Sequence, residues 1–233
     1  MARKWKTEGI AVTELDPCPS VARVAGLRIH PCLVKRLGSI ALLLALAACA
    51  LPAPPPDMFY RIEPGPAASR FAKPPLPGVL EVQRLTADGV LDERAITVAA
   101  RDGGPLSHYK YDLWSDPPAM MLQDRLARFL TTAGAADRVL SPELGVLADW
   151  TLRGKLHRLE HLADSSQVAV DIELSVVSAH DGTLVLLEDY SALVPVGSGG
   201  IDGVVAAMER GVSQVFGRFL ADLGRVRAGG PPK

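Results

Sequence analysis

Beyond Cys49 the chain has no cysteine: the three it carries, Cys18, Cys32 and Cys49, fall in the first quarter of its 233 residues. That excludes a disulfide framework, a CxxC redox pair and a Cys-ligated zinc site from everything downstream, whose fold must rest on packing. A strong charge excess is missing too, since 25 basic and 26 acidic residues give a formal net charge of −1. Seven of the basic and three of the acidic residues precede Cys49, leaving 18 and 23 after it. This mildly acidic remainder carries no nucleic-acid footprint. No apolar run reaches the ~20 residues a membrane-spanning helix needs. The chain also lacks a GxSxG elbow, an HExxH helix, a GxxxxGK[ST] loop and any repeat at a solenoid period. Catalysis has little support, and no cofactor or metal is expected.

What is present begins with an export signal. Lys35-Arg36-Leu37-Gly38-Ser39 supplies a basic start, and Ile40 to Ala48 an apolar run about half the length of a membrane span. The run ends Leu46-Ala47-Ala48-Cys49, which resembles the lipobox, where small residues admit the peptidase and the thiol accepts diacylglycerol. Residues 34–48 are therefore expected to be a lipoprotein signal peptide and Cys49 the lipidated first residue of the mature chain. Residues 1–33, with Glu8, Glu14, Asp16 and scattered charge, do not fit a signal peptide. They are expected to be an upstream extension that is not made, with Val34 read as an initiating GTG codon. Residues 49–57, rich in proline from Pro52 to Pro56, read as a stiff tether. Ala50 follows the cysteine; in lipoproteins that this chain resembles, an Asp there retains the protein at the inner membrane. Outer-membrane sorting is favoured.

Residues 58–224 are expected to form a single domain, followed by a frayed tail over 225–233. Phe59 to Pro64 and Val79 to Leu85 alternate as short strands. Ala95 to Arg101 and Ser107 to Leu113 flank Asp102-Gly103-Gly104-Pro105 as a hairpin. Asp116 followed by Pro117 and Pro118 reads as a helix start, and Leu122, Leu126, Phe129 and Leu130 share one face of a helix over about 117–133. Ala148 to Leu159 reads as a strand, and Gln167 to Ser178 alternates cleanly, its Val168, Val170, Ile172, Leu174 and Val176 on one face. Asp181-Gly182 turns the chain into Thr183 to Leu193. A second helix runs from Asp202 to about Leu223-Gly224, striped by Val204, Val205, Met208, Val212, Phe216 and Phe219. The order predicts an α+β fold: an antiparallel sheet with two helices packed on one face.

Few residues invite chemistry. His157 and His161 stand four apart, but in a strand this places them on one side about 13 Å apart, as surface decoration. The Gly197-Ser198-Gly199-Gly200 loop before the second helix reads as a flexible connection rather than an anion cradle. Trp114, beside Asp116-Pro117-Pro118, fits either an interface anchor or a ring packed on the sheet edge.

The chain resembles the ABC-type transport auxiliary lipoprotein family, which includes paraquat-inducible protein C. The matching pieces are Tyr60-Arg61-Ile62-Glu63-Pro64, Trp114-Ser115-Asp116-Pro117-Pro118, and Ala148-Asp149 with Leu152-Arg153-Gly154-Lys155-Leu156. The resemblance covers about residues 58–223. It departs at Ile62, where Leu is commoner. What it implies is a non-enzymatic component of an intermembrane lipid-transport system, partnered by a mammalian-cell-entry (MCE) domain protein and an inner-membrane ABC permease and ATPase. Trp114, Asp116, Pro117 and Pro118 become the candidate interface residues, and assembly into a homo-oligomer would follow from the symmetry of such a partner. Cys49→Ser is expected to abolish acylation and leave the protein uncleaved or periplasmic, as read by metabolic labelling with a fatty acid and by fractionation; persistent lipidation would refute the anchor.

Overall fold

The computed structural model describes residues 54–229; the expected signal peptide over 34–48, the extension expected before it and Cys49 lie outside them. Nine strands form one sheet, in the order β1 (Met58–Tyr60), β2 (Leu76–Val82), β3 (Thr86–Ala87), β4 (Ala95–Ala99), β5 (Leu106–Trp114), β6 (Ala136–Leu140), β7 (Trp150–Leu162), β8 (Gln167–Ser178) and β9 (Leu184–Pro195). Helix α1 (Pro118–Ala133) lies between β5 and β6, and α2 (Ile201–Gly229) follows β9. The expected α+β architecture with two helices stands. None of the helices among the described residues is long and apolar enough to cross a membrane.

The sheet is mixed rather than antiparallel. β7, β8 and β9 form an antiparallel meander, and β4 and β5 an antiparallel hairpin. On its other edge β7 is met by three strands in turn, all parallel to it: β2 at Trp150 to Leu152, β3 at Lys155 and Leu156, and β4 at Glu160 to Leu162. β6 is parallel to β2, and β1 to β5. Hydrophobic alternation reports which face of a strand is buried but not the direction of its neighbour. Parallel pairing needs a long crossover, and here the chain between β4 and β7 supplies one that contains α1. β6 escaped the sequence reading because Ala-Asp-Arg-Val-Leu has no clean period of two.

Local signals act where expected. Gly103 and Gly182 hold positive φ in the two Asp-Gly turns, and Gly134 closes α1 in the left-handed conformation at φ 65°. Asp116 does not cap α1: Pro117 occupies that position, and the Asp116 carboxylate instead accepts a hydrogen bond from the Ser115 hydroxyl at 2.9 Å. α2 continues to Gly229, past the expected stop near Gly224.

One apolar core lies between sheet and helices. Leu80, Val82, Leu152, Leu156, Ile172 and Leu174 enter from the strands, and Leu122, Leu126, Phe216 and Phe219 from the helices. Phe129 of α1 meets Phe216 of α2 with ring centroids 5.5 Å apart, so the helices share the same core. A second, small cluster of Ala99, Leu162 and Ala169 covers part of the opposite face.

Gly154 marks the tightest approach within β7. A Cβ there would lie 2.7 Å from the Glu173 carbonyl oxygen, 2.7 Å from Leu174 Cδ2 and 2.9 Å from Leu85 Cδ2. Gly154→Ala is therefore expected to lower stability by about 1–3 kcal/mol, the usual cost of overpacking. A urea unfolding curve with a lower midpoint and an unchanged slope would show it.

Candidate functional site

The Tyr60-to-Pro64 and Trp114-to-Pro118 segments, far apart in sequence, are neighbours in the fold. β1 and β5 pair Tyr60 with Trp114, and the Ser115 N–H donates to the Tyr60 carbonyl at 2.8 Å. Ile62 is fully buried. Beyond it, the Glu63 carboxylate pairs with Arg125 of α1, while the Glu63 N–H donates to Glu209 Oε1 of α2 at 2.9 Å. The Gly65 N–H donates to the Ser213 hydroxyl, also at 2.9 Å. The segment therefore ties both helices to the sheet.

Trp114 has no exposed surface and belongs to the core, so of its two readings the packed one holds, and it cannot anchor a partner. A strand-end Trp facing the helices removes its large apolar ring from water. Pro118 is buried as well; Pro117 is half-buried and Asp116 exposed. Beside Asp116 lies a pocket of about 160 Å³, lined by Arg61, Ser115, Met120, Met121, Asp124 and Arg125. It combines guanidinium, carboxylate and thioether groups.

The other two motif pieces are joints too. The Asp149 carboxylate accepts from the Val79 N–H at 2.7 Å and lies 3.0 Å from His180 Nε2. The Val79 N–H, and after it His180, holds that carboxyl below the usual carboxylate range. Gly78, at φ +94°, leaves the room this clasp needs, because a Cβ there would lie 2.2 Å from Asp149 Oδ2. Gly154 lies within the adjoining strand.

The family model described as ABC-type transport auxiliary lipoprotein component matches residues 60–218, well over half of the chain. The chain belongs to that family. Protein XCC0632 from Xanthomonas campestris has a similar structure at 20% identity and a TM-score of 0.64, the match covering 74% of this chain and 99% of that one. An uncharacterized protein is similar at 14% identity and a TM-score of 0.55, over 73% and 98% of the two chains. Both likenesses concern the fold. The PelC dodecamer from Paraburkholderia phytofirmans, at 9% identity, a TM-score of 0.39 and 64% and 91% coverage, is too distant to bear on assembly. No curated protein matches significantly.

Around this family fold, two surfaces remain open. A groove of about 570 Å³ runs between α1 and β6, from Asp124 and Arg128 to Leu144. It leads to a loop on which Leu144, Val146 and Leu147 are 62%, 49% and 93% exposed. The sequence reading missed this loop, whose signal is an apolar Leu-Gly-Val-Leu stretch that runs on from the short 3-10 turn Pro142–Leu144.

The histidines separate. A bulge in the β7–β8 ladder falls at His157, between the pairs Leu156–Ile172 and Arg158–Asp171. The extra residue reverses the alternation, so His157 and His161 no longer share a face. His157 is exposed; His161 stacks on Tyr109, whose hydroxyl lies 2.8 Å from His161 Nδ1. Burial holds the His161 pKa below its ordinary value. The folded ring resists protonation, so its contribution to stability is full above the ordinary value near 6.5 and is lost as pH falls below it. Between about pH 7 and pH 5, the wild-type protein is expected to lose more stability than His161→Gln, measured by urea unfolding at both values.

Proposed function

We propose that this lipoprotein is the non-catalytic docking component of an MCE-type ABC system for intermembrane lipid transport, anchored through Cys49 to the periplasmic face of the outer membrane. The family match over residues 60–218 carries the reading, because that family is defined as an auxiliary of ABC-type transport. Several features support the finer assignment. The Leu46-Ala47-Ala48-Cys49 lipobox follows a basic and then apolar segment. Several acyl chains on one cysteine, at ~0.8 kcal/mol per buried CH₂, hold a protein on a membrane essentially permanently. The proline-rich residues 49–57 would hold the domain off the bilayer, and Ala50 after the cysteine fits outer-membrane sorting. The motif residues Tyr60, Glu63, Trp114, Asp149 and Gly154 serve as structural joints, which suits a part that binds rather than reacts.

The partners in this reading are an MCE-domain protein in the periplasm and, through it, the inner-membrane permease and ATPase. The contact surface is the exposed edge at Asp116 and Pro117 with its neighbouring pocket. A symmetric partner would gather several copies of the lipoprotein into a ring. An affinity-tagged full-length chain, extracted from its own membranes in mild detergent, is expected to retain the MCE protein, and Asp116→Arg to reduce the recovered amount about tenfold, equivalent to ~1.4 kcal/mol. Recovery of a peptidoglycan synthase in its place would overturn the transport reading in favour of an envelope scaffold.

A further inference from the structure

The outward face of the β7–β8–β9 meander carries two carboxylates, Glu173 and Asp189, that form no ion pair among the described residues. Lys155, Glu173 and Asp189 are register partners across the three strands, so two carboxylates stand directly opposite each other on β8 and β9. Like charges in that position repel. The lysine in the row does not relieve them, because its Nζ pairs with Asp88. Nor does the nearby guanidinium of Arg158, which binds Glu160 at 2.6 Å, Asp102 at 2.7 Å and Asp171 at 3.4 Å.

What the chain brings to the two carboxylates is an imidazole. The outward alternation of Arg153 and Lys155 carries His157 onto the face of Glu173 and Asp189, and the bulge there adds Arg158 to the same face, opposite Asp171. One ring nitrogen and one oxygen from each carboxylate lie within 4.8 Å of one another. Glu173 is half-buried, and His157 and Asp189 are exposed, leaving an open path from solvent.

We propose that His157, Glu173 and Asp189 form a binding site for a divalent transition-metal ion, with zinc the ion its donors fit best. One imidazole and two carboxylates make a nitrogen-and-oxygen donor set that zinc accepts, at ligand distances of roughly 2.0–2.2 Å. Donors at that distance stand about 3.4 Å apart around a tetrahedral ion, so exposed side chains need only a small rotation to close on it. Water completes the coordination. The ion neutralises the opposed carboxylates and cross-links three strands on the side of the sheet away from the helices. The expectation of no metal came from the missing cysteines and HExxH motif and from the separation of His157 and His161; the donors that converge come from three different strands. The inference stands apart from the transport reading, since it concerns another face of the molecule.

Zinc chloride titrated into the detergent-solubilised full-length protein, followed by competition with a chromophoric chelator, tests it. The expected result is one ion per chain at micromolar affinity, weakened at least tenfold by His157→Ala and by Glu173→Gln, and unchanged by His161→Ala or His180→Ala. Zinc is also expected to raise the Tm of the wild-type protein and not that of His157→Ala, because only a ligand that prefers the folded state stabilises it. The two variants keep the fold if their Tm without zinc equals or exceeds that of the wild type, as removal of repulsion or of an exposed ring predicts. No saturable binding, or binding that His157→Ala leaves intact, would overturn the proposal; so would a site filled equally well by magnesium, which favours all-oxygen ligands.

Discussion

The fold depends on the backbone hydrogen bonding of β7, which uses both edges of a single 13-residue strand. One edge pairs with β8 along nearly its whole length; the other is divided among β2, β3 and β4. Past that division the sheet parts into a β2–β6 branch and a β4–β5–β1 branch. α1 packs on β2 and β6 and α2 on β8 and β9, and the two helices meet through Phe129 and Phe216. Gly154 lies in β7 between the β2 and β4 pairings, where the Glu173 carbonyl and the side chains of Leu174 and Leu85 come closest.

The residues that carry the resemblance to the family secure this arrangement. Tyr60 and Ser115 join β1 to β5, Glu63 reaches both helices, and Asp149 clasps β2 to the start of β7. A signature made of joints preserves a shape and leaves the exposed surface open to adaptation toward a partner. Function in such a domain belongs to surface features rather than to the fold itself. The Asp116 edge, the apolar loop from Leu144 to Leu147 and the outward face with His157 are features of that kind.

Much of the architecture could be read directly from residue patterns. The alternation of Val168 to Val176 and the stripe from Val204 to Phe219 each face the core, and the Asp-Gly pairs each turn a hairpin. Three features were settled by contacts beyond local range. Asp116 looked like a cap, but the helix begins at Pro118 with Pro117 in the cap position. Trp114 carried no local sign of which way it faced until β1 paired beside it. A one-residue bulge at His157 changed the side on which every later residue of β7 lies, and nothing in the flanking sequence announces it.

By itself, the sequence determined what depends on a few adjacent residues: the turns, the buried face of each long element and the lack of thiol chemistry beyond Cys49. Tertiary structure decided the parallel edge of β7, the burial of Trp114 and the meeting of His157 with Glu173 and Asp189. The division follows from the physics. Dihedral preference and periodicity act within a turn or two of chain, whereas strand direction and register are settled by hydrogen bonds between segments tens of residues apart, and only the packed core selects among the pairings that local preference allows.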